Sequence, residues 1–230
     1  MSLNVRDDDV HRQKRDLAYY IGKAFLKVTG WTFHDEGRPA GGKYVILATP
    51  HTSNWDLPLM LGCAYVSGLR ISWLGKHTLF RGLGGPFFGW LGGVPVDRTA
   101  AKGMVQQVVD VFAERDDLAL AIPPAGTRKH TDGWKTGFYY IAHGAQVPIV
   151  MSYLDFSKKQ AGFGPAVMTT GDIDADFMVF HEFYKDKVGK FPKWTSEVKI
   201  REKREYVPPP EKAGAVQLVK DALSSMFSKR

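Results

Sequence analysis

Pro50-His51-Thr52-Ser53-Asn54-Trp55-Asp56 sets an imidazole and a carboxylate five positions apart, between an apolar run and a helical one. A carboxylate on one ring nitrogen fixes the tautomer and raises the basicity of the other, which can then take a proton from an alcohol. On one continuous helix that offset is about 140° around the axis, so the two groups would face apart. Pairing therefore requires His51 in a loop and Asp56 in the first turn of the following helix. Ser53-x-x-Asp56 also fits a helix capping box, in which the carboxylate is structural. One carboxylate has two oxygens, so the two roles are compatible.

Cations follow three further apolar runs. Arg128 comes after Gly126-Thr127, where a flexible loop can present a planar, always-charged fork to a phosphate. Arg98 follows Val94–Val96, and Lys76 follows Arg70–Gly75. The three converge if those strand ends share one edge of a sheet. The plainer readings are an ion pair between Arg98 and Asp97 or another acid, and a solvated Lys76.

Other chemistries lack their residues. The seven His are scattered, and His181-Glu182 has no second His four positions after the first, so no metal site is expected. No G-x-S-x-G elbow supports a serine hydrolase. Gly82-Leu83-Gly84 runs on to Phe87, and Gly162-Phe163-Gly164 to Val167, so neither is a dinucleotide fingerprint. Phe87, Phe88 and Trp90 make the first of these an apolar surface suited to an acyl chain or a bilayer, or to ordinary packing. His143 falls among apolar helical residues and reads as a core histidine.

The elements that must position these groups alternate. Strands are expected at Tyr44–Thr49, Arg70–Gly75, Val94–Val96, Leu118–Ile122, Val147–Tyr153 and Pro165–Thr169. Helices are expected at Trp55–Val66, Ala100–Ala113, Thr136–His143, Ala175–Tyr184 and Glu211–Phe227. The fold class is α/β, a single domain with a largely parallel mixed sheet flanked by helices. An amphipathic N-terminal helix over Val10–Trp31 precedes it, with Leu17, Tyr20, Ile21, Phe25 and Val28 at helical spacing among basic residues. That helix can lie on a membrane surface or pack on the domain. The expected divisions are residues 1–40, an N-terminal helical segment; 41–207, the α/β domain; and 208–230, a Pro linker and a C-terminal amphipathic helix.

The 230 residues are 44% hydrophobic and 24% charged, which excludes a disordered or wholly membrane-embedded chain. The longest run without Asp, Glu, Lys or Arg is Thr136–Leu154, and its glycines and Pro148 make it helix, turn and strand rather than a span. A single cysteine, Cys63, points to a reducing compartment, and the charged Met1–Arg15 does not read as a secretion signal. The net charge is +7, and residues 157–230 hold 14 basic against 10 acidic side chains. Nucleic acid, anionic lipid or a phosphate-bearing substrate would each suit such a charge. No nucleic-acid-binding module is present, so no nucleic-acid partner is expected.

Together, the His51–Asp56 block, Gly92-Gly93-Val94-Pro95-Val96-Asp97-Arg98, Pro124-Ala125-Gly126-Thr127-Arg128 and Val147-Pro148-Ile149-Val150 resemble a known set of blocks in their order and spacing. The resemblance is to the glycerolipid acyltransferases of the 1-acylglycerol-3-phosphate acyltransferase (lysophosphatidate acyltransferase) family. It covers roughly Tyr44–Tyr153 and implies a glycerol-3-phosphate-acyltransferase-like fold. It implies transfer of a fatty acyl group from acyl-CoA or acyl carrier protein to the hydroxyl of a lysophospholipid, 1-acylglycerol 3-phosphate above all, with no cofactor and no metal. His51 and Asp56 would be catalytic, and Arg98, Arg128, Thr127 and Gly126 would bind the acceptor's phosphate, with Lys76 as a further candidate. The implied location is cytoplasmic, attached peripherally to the anionic cytoplasmic face of the membrane. Two positions depart from the pattern: Pro50 stands where the family usually has Asn, and Ala125 where it has Glu. Loss of that carboxylate leaves open an alternative, a weakened or inactive lipid- or phosphate-binding member of the same fold.

Overall fold

A computed structural model describes residues 16–35, 37–39, 41–97 and 103–201. Arg98, the residues before Asp16 and the expected helix over 211–227 lie outside the described residues.

Seven strands form one sheet in the order β1-β7-β6-β2-β5-β3-β4. They are β1 (Thr32–Asp35), β2 (Lys43–Ala48), β3 (Ile71–Lys76), β4 (Gly93–Val96), β5 (Leu118–Ile122), β6 (Ile149–Asp155) and β7 (Gln160–Val167). Five run parallel, from β6 through β2, β5 and β3 to β4. β7 turns back antiparallel to β6, and β1 follows β7. The helices are α1 (Leu17–Thr29), α2 (Asp56–Ser67), α3 (Gly85–Trp90), α4 (Met104–Glu114), α5 (Gly137–Ala145) and α6 (Ile173–Tyr184).

Alternation along the central strands assigns the two faces. Val45, Leu47 and Leu120 point into the larger core with Val108 and Phe112 of α4, Phe138 and Ile141 of α5, and Phe177 and Phe180 of α6. Tyr44, Ile46, Ala119 and Ala121 point to the opposite face, with Val150 and Phe163. Leu26 of α1 and Leu59 and Cys63 of α2 belong to a further cluster with Trp31 and Ala161. Because the sheet is covered on both sides, these strands read as unbroken apolar runs.

Sequence reading and structure differ at the edges. β1 was not expected at all; four residues, none of them buried, carry little periodicity. β7 begins five residues before the expected Pro165, because Gly162 and Gly164 look like loop. Both glycines are packing requirements: a Cβ on Gly162 would lie 2.5 Å from His34 O, and one on Gly164 would lie 2.3 Å from the Phe183 ring. The apolar spacing in α1 faces outward rather than into the core. The helix docks on α2 through Gly22 and Leu26, and Leu17, Tyr20, Ile21 and Val28 are exposed. Gly22 is what allows the approach, since its Cβ would meet Gly62 O at 2.7 Å. The glycine-rich 82–93 stretch forms a short 3-10 turn, α3 and the start of β4.

Candidate active site

β2 ends at Ala48, and Thr49–Ser53 cross the carboxyl edge of the sheet before α2 begins at Asp56. The crossing lets the chain fold back on itself. His51 Nδ1 lies 3.0 Å from Asp56 Oδ2. The same oxygen accepts from Thr52 N at 2.8 Å and Ser53 N at 2.9 Å. The capping box is therefore half formed: the carboxylate reaches back to Ser53 N–H, but Ser53 Oγ accepts from Trp55 N instead. Structural and imidazole-orienting bonds converge on one oxygen rather than dividing between two, and the buried Oδ1 has no partner among the described residues.

With Nδ1–H donating to a carboxylate, the neutral imidazole carries its lone pair on Nε2. Asp56 is buried, whereas the His51 side chain keeps 32% of its surface. His51 lines a mostly apolar cavity of about 200 Å³. Leu57, Met60 and Cys63 line it from α2, Ile46 and Ala121 from the central strands, and Trp73 from β3. It thus runs from the carboxyl edge back between α2 and the sheet. Burial pushes the Cys63 thiol up to about 12, so this cavity-lining sulfur stays protonated at neutral pH and is a poor nucleophile.

Parallel pairing of β2, β5, β3 and β4 brings their carboxyl ends to one edge. Lys76 closes β3 there, exposed. After β5 the chain turns through Pro123–Gly126, closed by Gly126 N to Pro123 O at 3.0 Å. Gly126 has φ +69°, a conformation that favours glycine. Thr127 and Arg128 follow, exposed, and Arg128 has no carboxylate partner among the described residues. Ala125 is half-buried and packs against the larger core. His143 is half-buried, stacked on Tyr139 and bonded to Thr169 Oγ1 at 2.9 Å, away from the cavity.

Two contributors were not expected. Lys135 lies against the phosphate-loop candidate: its N donates to Pro124 O at 3.0 Å, and its side chain passes 3.6 Å from where a Cβ on Gly126 would sit. Its only sequence signal is a position seven residues after Arg128. The segment Lys187–Arg201 also meets both loops. Phe191 N donates to Thr52 Oγ1 at 3.2 Å, and Thr131 N donates to Ser196 Oγ at 2.9 Å. No group of three or more His, Cys, Asp or Glu able to hold a metal occurs among the described residues.

A family model described as Acyltransferase matches residues 30–154, more than half of the chain. No curated protein matches the chain. Among solved structures, the chain is similar to the 1-acyl-sn-glycerophosphate (LPA) acyltransferase PlsC from Thermotoga maritima. That likeness has 16% sequence identity and a TM-score of 0.50, and covers 75% of this chain and 80% of that one. At this identity it concerns the fold, which the two chains share.

Proposed function

Since the chain belongs to the acyltransferase family, we propose that it transfers a fatty acyl group from acyl-CoA or acyl carrier protein to the free hydroxyl of a lysophospholipid, 1-acylglycerol 3-phosphate being the acceptor of choice. The observation that carries this reading is the His51 Nδ1–Asp56 Oδ2 contact at 3.0 Å, made by two residues that line the apolar cavity. Nε2 takes the proton of the acceptor hydroxyl as its oxygen attacks the thioester carbonyl. Asp56 holds the ring in place and stabilises the imidazolium that forms. The tetrahedral intermediate then collapses, the C–S bond breaks, and the imidazolium returns the proton to the departing thiolate. An activated donor requires no acyl-enzyme and no cofactor.

The oxyanion of that intermediate needs preorganised donors. At the start of α2 the backbone N–H groups of Thr52, Ser53 and Trp55 are already engaged within the motif. Those three are therefore not free to serve as that donor. Gly126, Thr127 and Arg128 on their exposed loop, with Arg98 and Lys76 after the neighbouring strands, are assigned to the acceptor phosphate. The cavity is assigned to an acyl chain. A lipid acceptor and a lipid product place the work at a membrane surface, on the cytoplasmic face.

Acyl transfer followed by thiol release from acyl-CoA tests the reading. General-base assistance is worth about 10²–10⁴-fold, so His51→Ala should retain at most a trace of turnover. Near-normal turnover by the folded variant overturns the mechanism. Ala125 supports a second reading, a binding protein of weakened turnover, because the carboxylate usual in the family is missing. A large gain in Ala125→Glu favours that second reading; full activity in the unaltered chain excludes it.

A further inference from the structure

We infer that Lys190 reads a phosphate group at this site and sets its preference for phosphate-bearing substrates. This rests on the acyl transfer proposed above, but on a part of the chain outside the matched 30–154 region. After α6 the chain returns to the carboxyl edge, where Phe156 N donates to Val188 O at 2.8 Å. Gly189 then presses on Thr52: a Cβ there would lie 2.7 Å from Thr52 Oγ1 and 2.8 Å from its methyl carbon. Phe191 N donates to the same hydroxyl oxygen at 3.2 Å. Thr52 in turn donates its N–H to Asp56 Oδ2. Lys190 is thus held between two residues that both touch the loop orienting the candidate base.

Its side chain is placed as well as its backbone. Nζ lies 4.9 Å from the ring centre of Trp55, the residue immediately before Asp56. An aromatic face attracts a cation without neutralising it, so the ammonium is steered to the motif with its charge intact. Of the neighbouring cations, Lys187 also sits over aromatic rings, those of Tyr153 and Phe183, but two others are paired with acids. Lys185 pairs with Glu182, and Lys199 with Asp132 and Glu197. Lys190 has no carboxylate partner among the described residues and remains exposed. The same segment fixes the loop after Arg128, where His130 Nδ1 lies 3.0 Å from Thr195 O and Thr131 N donates to Ser196 Oγ at 2.9 Å. One strap therefore ties the His51 loop to the Arg128 loop and brings its own cation to the first of them. An acceptor presenting its hydroxyl to His51 carries phosphate within a few bonds of the reacting oxygen, whereas the donor's carrier holds its nearest phosphate at the far end of the pantetheine arm from the thioester.

Lys190→Met removes the charge and keeps an unbranched stem on Trp55; Lys190→Arg restores a cation. Each is compared with the unaltered chain in two arms. One uses lysophosphatidate against monoacylglycerol as acceptor; the other uses acyl-CoA against acyl-N-acetylcysteamine, a phosphate-free thioester, as donor. A hydrogen bond to a charged group is worth about tenfold or more. In Lys190→Met, kcat/KM for the phosphate-bearing member should therefore fall about tenfold further than for its phosphate-free counterpart, with recovery in Lys190→Arg. The acceptor arm moving assigns the acceptor's phosphate, and the donor arm moving assigns the carrier's. Equal losses within each pair, or no loss, overturn the inference. If the unaltered chain transfers no acyl group, the proposed function fails instead. Equilibrium binding of lysophosphatidate and of acyl-CoA then decides, and an unchanged Kd for both in Lys190→Met overturns the role of Lys190.

Discussion

Asp56 does two jobs through one oxygen, and they can be separated. It orients His51, and it satisfies the N–H groups of Thr52 and Ser53, both buried. Orphaning a buried donor costs about 1–3 kcal/mol. Asp56→Ala orphans two and should thus lose both turnover and stability, its unfolding free energy falling by about 2–6 kcal/mol in a denaturant titration. His51→Ala, whose ring is partly solvated, should lose turnover with a denaturation midpoint close to that of the unaltered chain. Equal midpoints in the two variants would show that the loop does not depend on the carboxylate. Cys63 gives a second residue-scale test. Its pKa is raised by burial from 9.0 to about 12, so at pH 8 only about one thiol in ten thousand is ionised. Iodoacetamide at pH 8 should leave Cys63 unmodified in the folded protein and alkylate it in denaturant, read by intact mass. Rapid labelling of the native chain would refute the burial argument. The His51–Asp56 spacing was legible in the sequence because both partners lie within six residues. Lys190 was not, because its anchor, Thr52, is more than a hundred positions away and Gly189 has no side chain to give a signal.

At the scale of elements, α2 and the sheet face make the cavity. Leu57, Met60 and Cys63 recur every three residues on one side of α2. Cys63 stands seven residues beyond Asp56, roughly 10 Å further along the axis. An acyl chain with its thioester near His51 would extend toward that position. Cys63→Phe fills this inner part of the cavity and should move the preferred acyl length down by several carbons. Each methylene excluded from burial forfeits about 0.8 kcal/mol, or roughly fourfold in affinity. The profile of rates over a series of saturated acyl-CoA donors measures it, and an unaltered profile removes the cavity's assignment. The buried parallel strands that frame this cavity were readable as apolar runs, and the expected and observed limits of β5 coincide at Leu118–Ile122. β1 and the first half of β7 were not, since an edge strand of four residues and one opened by glycines owe their form to neighbours rather than to their own residues.

For the whole molecule, charge and exposed apolar surface raise the question of what the protein rests on. No helix among the described residues is long and apolar enough to cross a membrane. Yet α1 leaves Leu17, Tyr20, Ile21 and Val28 exposed, beside Lys23 and Lys27, and α2, packed on it, exposes Leu57, Leu61 and Tyr65. The apolar pattern that the sequence offered for α1 is real, but the structure turns it outward. An outward apolar stripe bordered by lysines suits the headgroup layer of an anionic bilayer. There each well-placed cation contributes about 1 kcal/mol. Binding should therefore be strong to vesicles containing phosphatidylserine, weak to purely zwitterionic ones, and reduced by salt as the Debye length shortens. Replacing Ile21 and Val28 together by Glu puts two anions on the stripe and takes two apolar side chains from it, so vesicle co-sedimentation should fall at least tenfold. Undiminished sedimentation of that double variant would separate the membrane from α1 and leave the attachment to another face of the protein.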